Sequence, residues 1–438
     1  MFRRVLAVIA ATALAISISA CSHVDEISPP DGQSRVIRVP TDAHTLAEAA
    51  KLVRPGGVIS IAPGTYHEQL LIDTPDVTVR GESRNGTIIN GGGVRPFGVV
   101  AIADGVRVEN LTVTGATFYG VLFTGLHDKN GPSAPTVDGY QKWDPKKFPP
   151  LERFLVDHVT AYNNGLYGIY SFNSRHGVIR DSVASGSADS GIYVGQCTQC
   201  DILVTGNVAE RSAVGFENSN ASNSVVIAGN RFSGNRVGMT LLSSYQEAFT
   251  PQRSNQVMGN LVTDNNEALS PEQANGAFAT GIAISGGRDN VLERNLIAGN
   301  ARAGIIFTNT EDLPAAGNHI SENMFDGNGV DVANTSVART PATANCLEGP
   351  ASTAPTELFT QMSTACAGDA ASQPSTGELT IPPAPRGISF KKVAPPRAQP
   401  DLPALSNYPA LPATVTMPDL TQFGVPDRSF LAERAGVR

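Results

Sequence analysis

A recurring glycine-led phrase constrains the fold of this chain more than any other feature. Six copies begin at Gly168, Gly191, Gly215, Gly238, Gly281 and Gly304, and each glycine is followed by a short, mostly apolar run. Consecutive copies are 23, 24, 23, 43 and 23 residues apart. A fixed period in the low twenties indicates a solenoid, because one copy cannot bury a face alone while stacked copies share one long core.

The copies also agree on which side chains face inward. One position after each glycine the residue is large and apolar: Ile169, Ile192, Phe216, Met239, Ile282 and Ile305. Alternate side chains of a strand lie on one face, so this column is predicted to line the interior.

A second motif ends in asparagine, at Asn207, Asn230, Asn260, Asn295 and Asn323. Four of these have another asparagine five residues on, at Asn235, Asn265, Asn300 and Asn328. Asparagine tolerates left-handed backbone, and its amide can bond the like amide in the next coil. The sequence therefore predicts asparagine stacks at the corners of the coils.

On these repeats the sequence resembles the right-handed parallel β-helix superfamily, which includes pectate lyases, polygalacturonases, alginate epimerases and NosD-type accessory proteins. The resemblance covers about residues 35–335 and implies an all-β, right-handed parallel β-helix solenoid. It indicates a fold rather than a function, because the superfamily hosts lyases, hydrolases, epimerases and proteins without catalysis. Alginate epimerases carry Tyr-Gly followed by Asp-Pro-His-Asp; this chain keeps Tyr167-Gly168 but lacks the acidic and histidine residues.

The N-terminus reads as an export signal over residues 1–20, with Arg3 and Arg4 before an apolar run too short to span a membrane. It ends in Ser19-Ala20-Cys21, which resembles the bacterial lipobox. That resemblance implies that Cys21 carries lipid and holds the protein on the outer face of the bacterial cell membrane. Residues 21–34 are polar and are predicted to be a tether.

The sequence predicts what flanks the solenoid at each end. Thr45 and Glu48 have capping-box spacing ahead of a helical pattern that ends at Pro55, and this helix is predicted to cap the first coil. Residues 336–438 hold 15 of the 30 prolines and show little periodicity, so we predict a disordered low-complexity tail after a solenoid of residues 35–335.

Four cysteines remain after Cys21, and outside the cytoplasm they are expected to oxidise. We favour the pairs Cys197–Cys200 and Cys346–Cys366 among the three possible pairings. Cys197 and Cys200 have redox or metal-site spacing, but they follow a strand rather than open a helix, which favours a structural disulfide.

The residues on the outward face supply the candidate site. Stacked coils lie about 4.8 Å apart, so side chains at matching positions are neighbours. An aromatic patch is predicted at Tyr119, Tyr167, Tyr170, Phe172 and Tyr193, with a polar row at Asn173, Gln196 and Asn220. The inserted loop of residues 127–150 carries the only tryptophan, Trp143, next to this patch.

Two interpretations of the patch remain open. Exposed rings beside amide donors suit sugar binding, whereas the same rings could lie under the Trp143 loop and pack it down. Glu217 together with Tyr193 is the best candidate pair for acid–base catalysis.

The predicted function is a membrane-anchored extracytoplasmic protein that binds, and in one version processes, a cell-envelope or extracellular polysaccharide. The alternatives are a polysaccharide lyase or hydrolase, and a non-catalytic accessory protein that docks another envelope protein. We expect a monomer with no cofactor and no metal, and a net charge of −8 argues against a nucleic-acid partner.

Overall fold

The computed structural model describes residues 34–129, 131–132, 143–272, 277–405 and 407–436. These residues form three long parallel sheets, here called A, B and C, and successive coils contribute one strand to each. The fold is the right-handed parallel β-helix solenoid that the repeats predict. Within the described residues no helix is both long and apolar enough to cross a membrane. The predicted signal peptide, most of the tether and Cys21 lie outside the described residues.

The strands are numbered β1 to β35 along the chain. Sheet A contains β1 (Ser34–Val39), β2 (Val53–Ile61), β5 (Thr78–Gly81), β8 (Val106–Glu109), β13 (Leu151–Asp157), β16 (Ser174–Arg180), β19 (Ile202–Thr205), β22 (Val225–Ala228), β25 (Gln256–Met258), β28 (Val291–Glu293), β31 (His319–Ser321) and β34 (Cys346–Leu347). Sheet B contains β3 (Gly64–Tyr66), β6 (Thr87–Asn90), β9 (Thr112–Thr114), β14 (Thr160–Tyr162), β17 (Val183–Ser185), β20 (Val208–Glu210), β23 (Arg231–Ser233), β26 (Leu261–Thr263), β29 (Leu296–Ala298) and β32 (Met324–Asp326). Sheet C contains β4 (Leu70–Ile72), β7 (Phe97–Ala101), β10 (Tyr119–Thr124), β15 (Ile169–Phe172), β18 (Ser190–Thr198), β21 (Val214–Ser222), β24 (Val237–Leu242), β27 (Thr280–Ser285), β30 (Ala303–Thr308), β33 (Val332–Asn334) and β35 (Thr353–Ala354). A small antiparallel pair, β11 (His127–Asp128) with β12 (Gly131–Pro132), lies in the first inserted loop.

The predicted inward column is confirmed. Ile169 pairs with Ile192 and Ile192 with Phe216, and the same register continues through Met239 to Ile305. All of these side chains are fully buried in one continuous core. Burial of a large apolar side chain stabilises a fold by about 1.5–3 kcal/mol, so this column is a major source of stability.

The asparagine stacks are also confirmed. The Asn207 amide nitrogen donates to the Asn230 oxygen at 3.0 Å, and each following residue of the row repeats the bond to its neighbour. A second row runs from Asn235 to Asn328. Sequence analysis missed a third row, which joins Asn255, Asn290, Asn318 and Asn345 and ends on Gln373. The signal was present, because three of its members stand five residues before asparagines of the first row.

Both ends of the solenoid are capped. Helix α1 (Leu46–Leu52) has the predicted capping box between Thr45 and Glu48 and buries Leu46 against the first coil. At the other end the coils run past residue 335, the predicted limit, to β35, and helix α2 (Leu358–Ala365) follows. Leu358 and Met362 of α2 are fully buried, and the Cys346–Cys366 disulfide ties this helix to β34.

Both predicted disulfides are present. Cys197 and Cys200 bridge a tight corner at the end of β18, where both are buried. They therefore form a structural link within a coil.

The prediction of a disordered tail needs correction. Residues 386–436, here called the strap (residue 406 lies outside the description), follow the outside of the solenoid. Met417, Leu420 and Phe423 pack on apolar side chains that sheet A turns outward, which are Leu203, Val226, Ala228 and Met258. The strap's polar backbone is also bonded: Leu402 N donates to Asn110 Oδ1 at 2.7 Å. Low periodicity gave no sign of this, because an extended segment that packs on another surface needs no repeat of its own.

Candidate functional site

The outward column of sheet C has the predicted register. Leu122 lies beside Tyr170, Tyr170 beside Tyr193, and Tyr193 beside Glu217 on successive strands. Thr240 follows Glu217 on β24. The coils therefore bring together residues that are far apart in sequence, and they place the proposed acid–base pair on adjacent strands.

The predicted rings gather into one cluster on this outward face. Tyr119 stacks on Tyr167 with ring centroids 5.8 Å apart, and Tyr170 meets Tyr193 edge-on at 4.8 Å. The cluster is separate from the solenoid core.

The expectation that these rings face water was wrong. Tyr193 is 2% exposed, and Phe172, the most exposed of the five, is 8% exposed. Side chains from neighbouring segments, among them Phe97, Phe118 and Leu166, pack around the rings. Of the two sequence-based interpretations, the covered surface describes this structure.

Two inserted loops meet at the edge of the cluster. Trp143, from the first loop, lies 6.1 Å from the ring of Phe172. Phe249, from the loop that follows β24, meets Trp143 edge-on at 5.7 Å. Phe249 has a left-handed backbone with φ of 59°, an unusual conformation for a bulky residue and one often found at functional loops.

The predicted polar row contacts the inserted loops. Asn173, Gln196 and Asn220 are fully buried and have left-handed backbones; Asn173 directly follows β15, whereas Gln196 and Asn220 lie within β18 and β21. Asn173 donates to Phe148 O at 3.1 Å, and Asn220 donates to Ser244 O at 2.7 Å. These amides anchor the two inserted loops to the solenoid. In this structure the amide nitrogens of all three are therefore bonded within the protein.

A pair of carboxyl groups lies beside the rings. The Ser190 hydroxyl contacts Glu217 Oε2 at 2.5 Å and Asp189 Oδ1 at 3.4 Å, so one hydroxyl joins the two acids. Both acidic residues are partly exposed. Burial raises the pKa of Asp189 to about 6. Burial, and then the charge of Asp189, raise the pKa of Glu217 well above its ordinary value.

The second inserted loop contributes a third carboxyl group, that of Glu247. Glu247 is 9% exposed, and its Oε2 accepts hydrogen bonds from Ser219 Oγ at 2.8 Å and from the Gln196 amide. Burial raises its pKa, although these bonds oppose the shift. Its charge also contributes to the raised pKa of Glu217.

Sequence analysis identified Glu217 but missed Asp189 and Glu247. Asp189 lies two residues before a repeat glycine, where a corner residue is expected to face solvent. Glu247 lies in an insertion, outside the repeat register, so no periodicity could place it. Only the folding back of the loop brings Glu247 to Ser219.

Metal-binding groups are few in the described part of the chain. His319, Cys346 and Glu348 approach one another, but the Cys346 sulfur is bonded to Cys366. In the second group, which is Asp157, His158 and Asp181, the Asp157 carboxylate already accepts from Arg180 at 2.6 Å and lies 2.6 Å from His158. Thiolate and thioether ligands select Cu(I), and neither group supplies a free one. These two groups therefore do not fit a Cu(I) centre.

Comparison with known proteins agrees with the fold. Residues 76–279 match the family model described as periplasmic copper-binding protein (NosD). No curated protein matches the sequence.

Several solved structures resemble the chain. The A-module of mannuronan C-5 epimerase AlgE4 from Azotobacter vinelandii is 14% identical, with 67% of this chain and 91% of that chain covered and a TM-score of 0.41. An alginate lyase from Paenibacillus sp. is 16% identical, with coverage of 65% and 93% and a TM-score of 0.39. DFA-IIIase from Arthrobacter chlorophenolicus is 17% identical, with coverage of 74% and 81% and a TM-score of 0.39. Likeness at this level says nothing about activity.

Three parallel sheets built coil by coil make this chain a right-handed parallel β-helix protein, and residues 76–279 of it are similar to the NosD family.

Proposed function

We propose that this protein is an extracytoplasmic β-helix protein that binds and cleaves a glycan at the outer face of sheet C. The observation that carries the proposal is the carboxyl pair of Asp189 and Glu217, joined by the Ser190 hydroxyl. Raised pKa values at a partly buried pair of acids are a common mark of catalytic sites.

Two such carboxyl groups suit cleavage of a glycosidic bond. The raised pKa of Glu217 favours its protonated form, which can give a proton to the leaving oxygen, while Asp189, once ionised, can attack the sugar carbon. Water then releases the sugar and restores the proton to Glu217. Because one hydroxyl contacts both acids, they lie closer than the roughly 6.5–9.5 Å that inverting hydrolases need, which favours the retaining route.

The aromatic cluster supports this role in a way that differs from the sequence-based proposal. Buried rings cannot stack on a sugar while the two inserted loops remain closed. They form instead an apolar wall that excludes water next to Tyr193 and Glu217. We propose that substrate reaches Tyr170, Tyr193 and Phe172 when the contact between Trp143 and Phe249 opens.

The test is glycan cleavage by the full chain, wild type against Glu217→Gln. Neutral, amino-sugar and uronate oligosaccharides are incubated with each protein, and products are followed by mass spectrometry. Glu217→Gln is expected to lose at least a hundredfold in rate, because general acid catalysis contributes about 10²–10⁴-fold. Glu322→Gln, at a corner residue whose side chain is 63% exposed, is the matched control. Equal cleavage by Glu217→Gln would reject the proposed site.

The proposal also includes a location. The matching NosD family is described as periplasmic, and two disulfides suit an oxidising compartment. We propose that Cys21 carries the lipid anchor. Labelled palmitate incorporated by the wild type but not by Cys21→Ser would support the anchor, and equal labelling of both would contradict it.

A non-catalytic accessory role is the second candidate, and burial of the rings favours it. In that role the covered cluster only holds the inserted loops, and their outer surface docks an envelope protein. Tyr245, 46% exposed on the second loop, is a suitable position for a photo-cross-linker. Capture of one defined protein, together with no cleavage of any glycan, would favour this role over catalysis.

A further inference from the structure

Hydrogen-bond acceptors crowd the site around Glu217. The carboxyl groups of Asp189, Glu217 and Glu247 are close enough for their charges to raise the pKa of Glu217. The side-chain oxygen of Gln196 is buried beside Glu247 and has no hydrogen-bond partner. Gln196 itself is fully buried. A buried carbonyl oxygen without a donor costs about 1–3 kcal/mol, so this oxygen is an independent sign that a donor belongs here.

The two glutamates also lack positive partners in the described part of the chain. No lysine or arginine there forms an ion pair with Glu217 or Glu247, although arginines form eleven such contacts elsewhere in the described residues. The protein donors that do reach these two acids are the Ser190 and Ser219 hydroxyls and one amide. Such a site can accept both hydrogen bonds and positive charge from a ligand.

We infer that the glycan recognised here carries a protonated amino group, which sits between Glu217 and Glu247 and donates toward the Gln196 oxygen. This inference rests on the proposed glycan site and names its substrate class. The ring of Tyr193, on the strand beside Glu217, adds an aromatic face suited to a cation.

Other ligands fit these groups less well. A uronate would bring a fourth carboxylate toward three acids and would be repelled at short range. A neutral sugar could bond the acceptors but could not balance the charge of the ionised acids. A bare metal ion is disfavoured because the tight groups of possible ligands in the described residues lie elsewhere. The net charge of −8 also favours approach of a cationic chain.

The test is titration calorimetry of the full chain at pH 6.5 with a glucosamine hexamer, its N-acetylated counterpart and a uronate hexamer. The glucosamine hexamer is expected to bind at least tenfold more tightly than either of the others. Binding is expected to release on the order of one proton, because a nearby cation lowers the raised pKa values of the carboxyl groups. The release is measured from the dependence of the binding heat on the buffer. Glu247→Gln is expected to weaken binding at least tenfold, and Glu322→Gln to leave it unchanged. Thermal melts establish that each variant folds, and Glu247→Asp, which keeps the charge, is expected to retain most of the affinity.

The outcomes separate this inference from the proposed function. If the N-acetylated hexamer binds as tightly as the free amine and Glu217→Gln abolishes both, the glycan site stands and the amine inference is wrong. If glucosamine binds equally to wild type, Glu217→Gln and Glu247→Gln, both the site and the inference are wrong. Binding of none of the three hexamers contradicts the inference directly.

Discussion

Two outward faces of the same solenoid are covered in different ways. Sheet A turns apolar side chains outward, including Leu203, Val226 and Met258, and the strap covers them with apolar side chains of its own. Sheet C turns tyrosines and Glu217 outward, and loops inserted between its coils cover them. At the corner between sheets A and B, the strap's buried Arg434 donates to Gly206 O at 2.6 Å. On sheet C, in contrast, two glutamates meet no positive partner in the described residues.

We interpret this difference as one between a surface that stabilises the fold and a surface that we propose binds a ligand. Matched apolar contacts and bonded arginines stabilise the solenoid. Buried acids without cations cost stability, and proteins retain such groups mainly where they serve binding or catalysis. The four predictions that follow test this contrast, from the largest expected effect to the smallest.

Removal of the strap should have the largest effect. Truncation after Pro385 takes away Val415, Met417, Leu420 and Phe423, each of which contributes about 1–2 kcal/mol by burial. The unfolding free energy is expected to fall by roughly 5 kcal/mol, measured by circular dichroism in urea. Unchanged stability would mean that the strap does not pack in solution.

A single strap residue should reproduce part of that loss. The Phe423 ring packs on Gly229, and its Cβ packs on Gly259; an added Cβ on Gly229 would come within 2.8 Å of the ring. Phe423→Ala is expected to cost about 2 kcal/mol, while Leu405→Ala, at a 49% exposed strap residue, is expected to cost almost nothing. Equal losses in the two variants would contradict the packing described for sheet A.

On sheet C, in contrast to sheet A, removal of a side-chain charge is expected to stabilise the protein. Because the pKa of Asp189 rises to about 6 on folding, the folded chain holds this proton longer than the unfolded chain does. The resulting cost is absent below about pH 4, grows as the pH rises to about 6 and then stays constant. Asp189→Asn is therefore expected to stabilise the protein by about 1–2 kcal/mol at pH 7 and to have little effect at pH 4. Destabilisation at pH 7 would place Asp189 among the stabilising ion pairs instead.

The loop contact should have the smallest effect. Phe249→Ala removes the edge contact with Trp143, worth about 1 kcal/mol. Since Trp143 is the only tryptophan, its emission is expected to shift to longer wavelength and its quenching by acrylamide to increase. Tyr245→Ala, at an exposed position of the same loop, is the control and should leave the emission unchanged.

The repeat made the fold predictable, whereas the packing of the strap and the inserted loops on the solenoid could not be predicted. Periodicity alone placed Ile169 and Ile192 in the core and Tyr193 beside Glu217, because register in a solenoid follows from spacing. Whether an outward side chain stays exposed depends on segments outside the repeat. The strap and the Phe249 loop have no repeat period. The burial of Tyr193 and the position of Glu247 beside Ser219 therefore could not be predicted from the sequence. The capping box and both disulfides were predictable because they depend on short spacings or on few possible pairings.

The central claim is that burial beside Glu217 raises the pKa of Asp189 to about 6. The most direct measurement is a ¹³C NMR titration of the side-chain carboxyl carbons in a chain labelled at aspartate, with the Asp189 signal assigned by its absence in Asp189→Asn. The account predicts that this signal titrates near pH 6 in the wild type and, because burial is the cause of the raised pKa, also in Glu217→Gln. A signal that titrates near pH 4 in both proteins would contradict it.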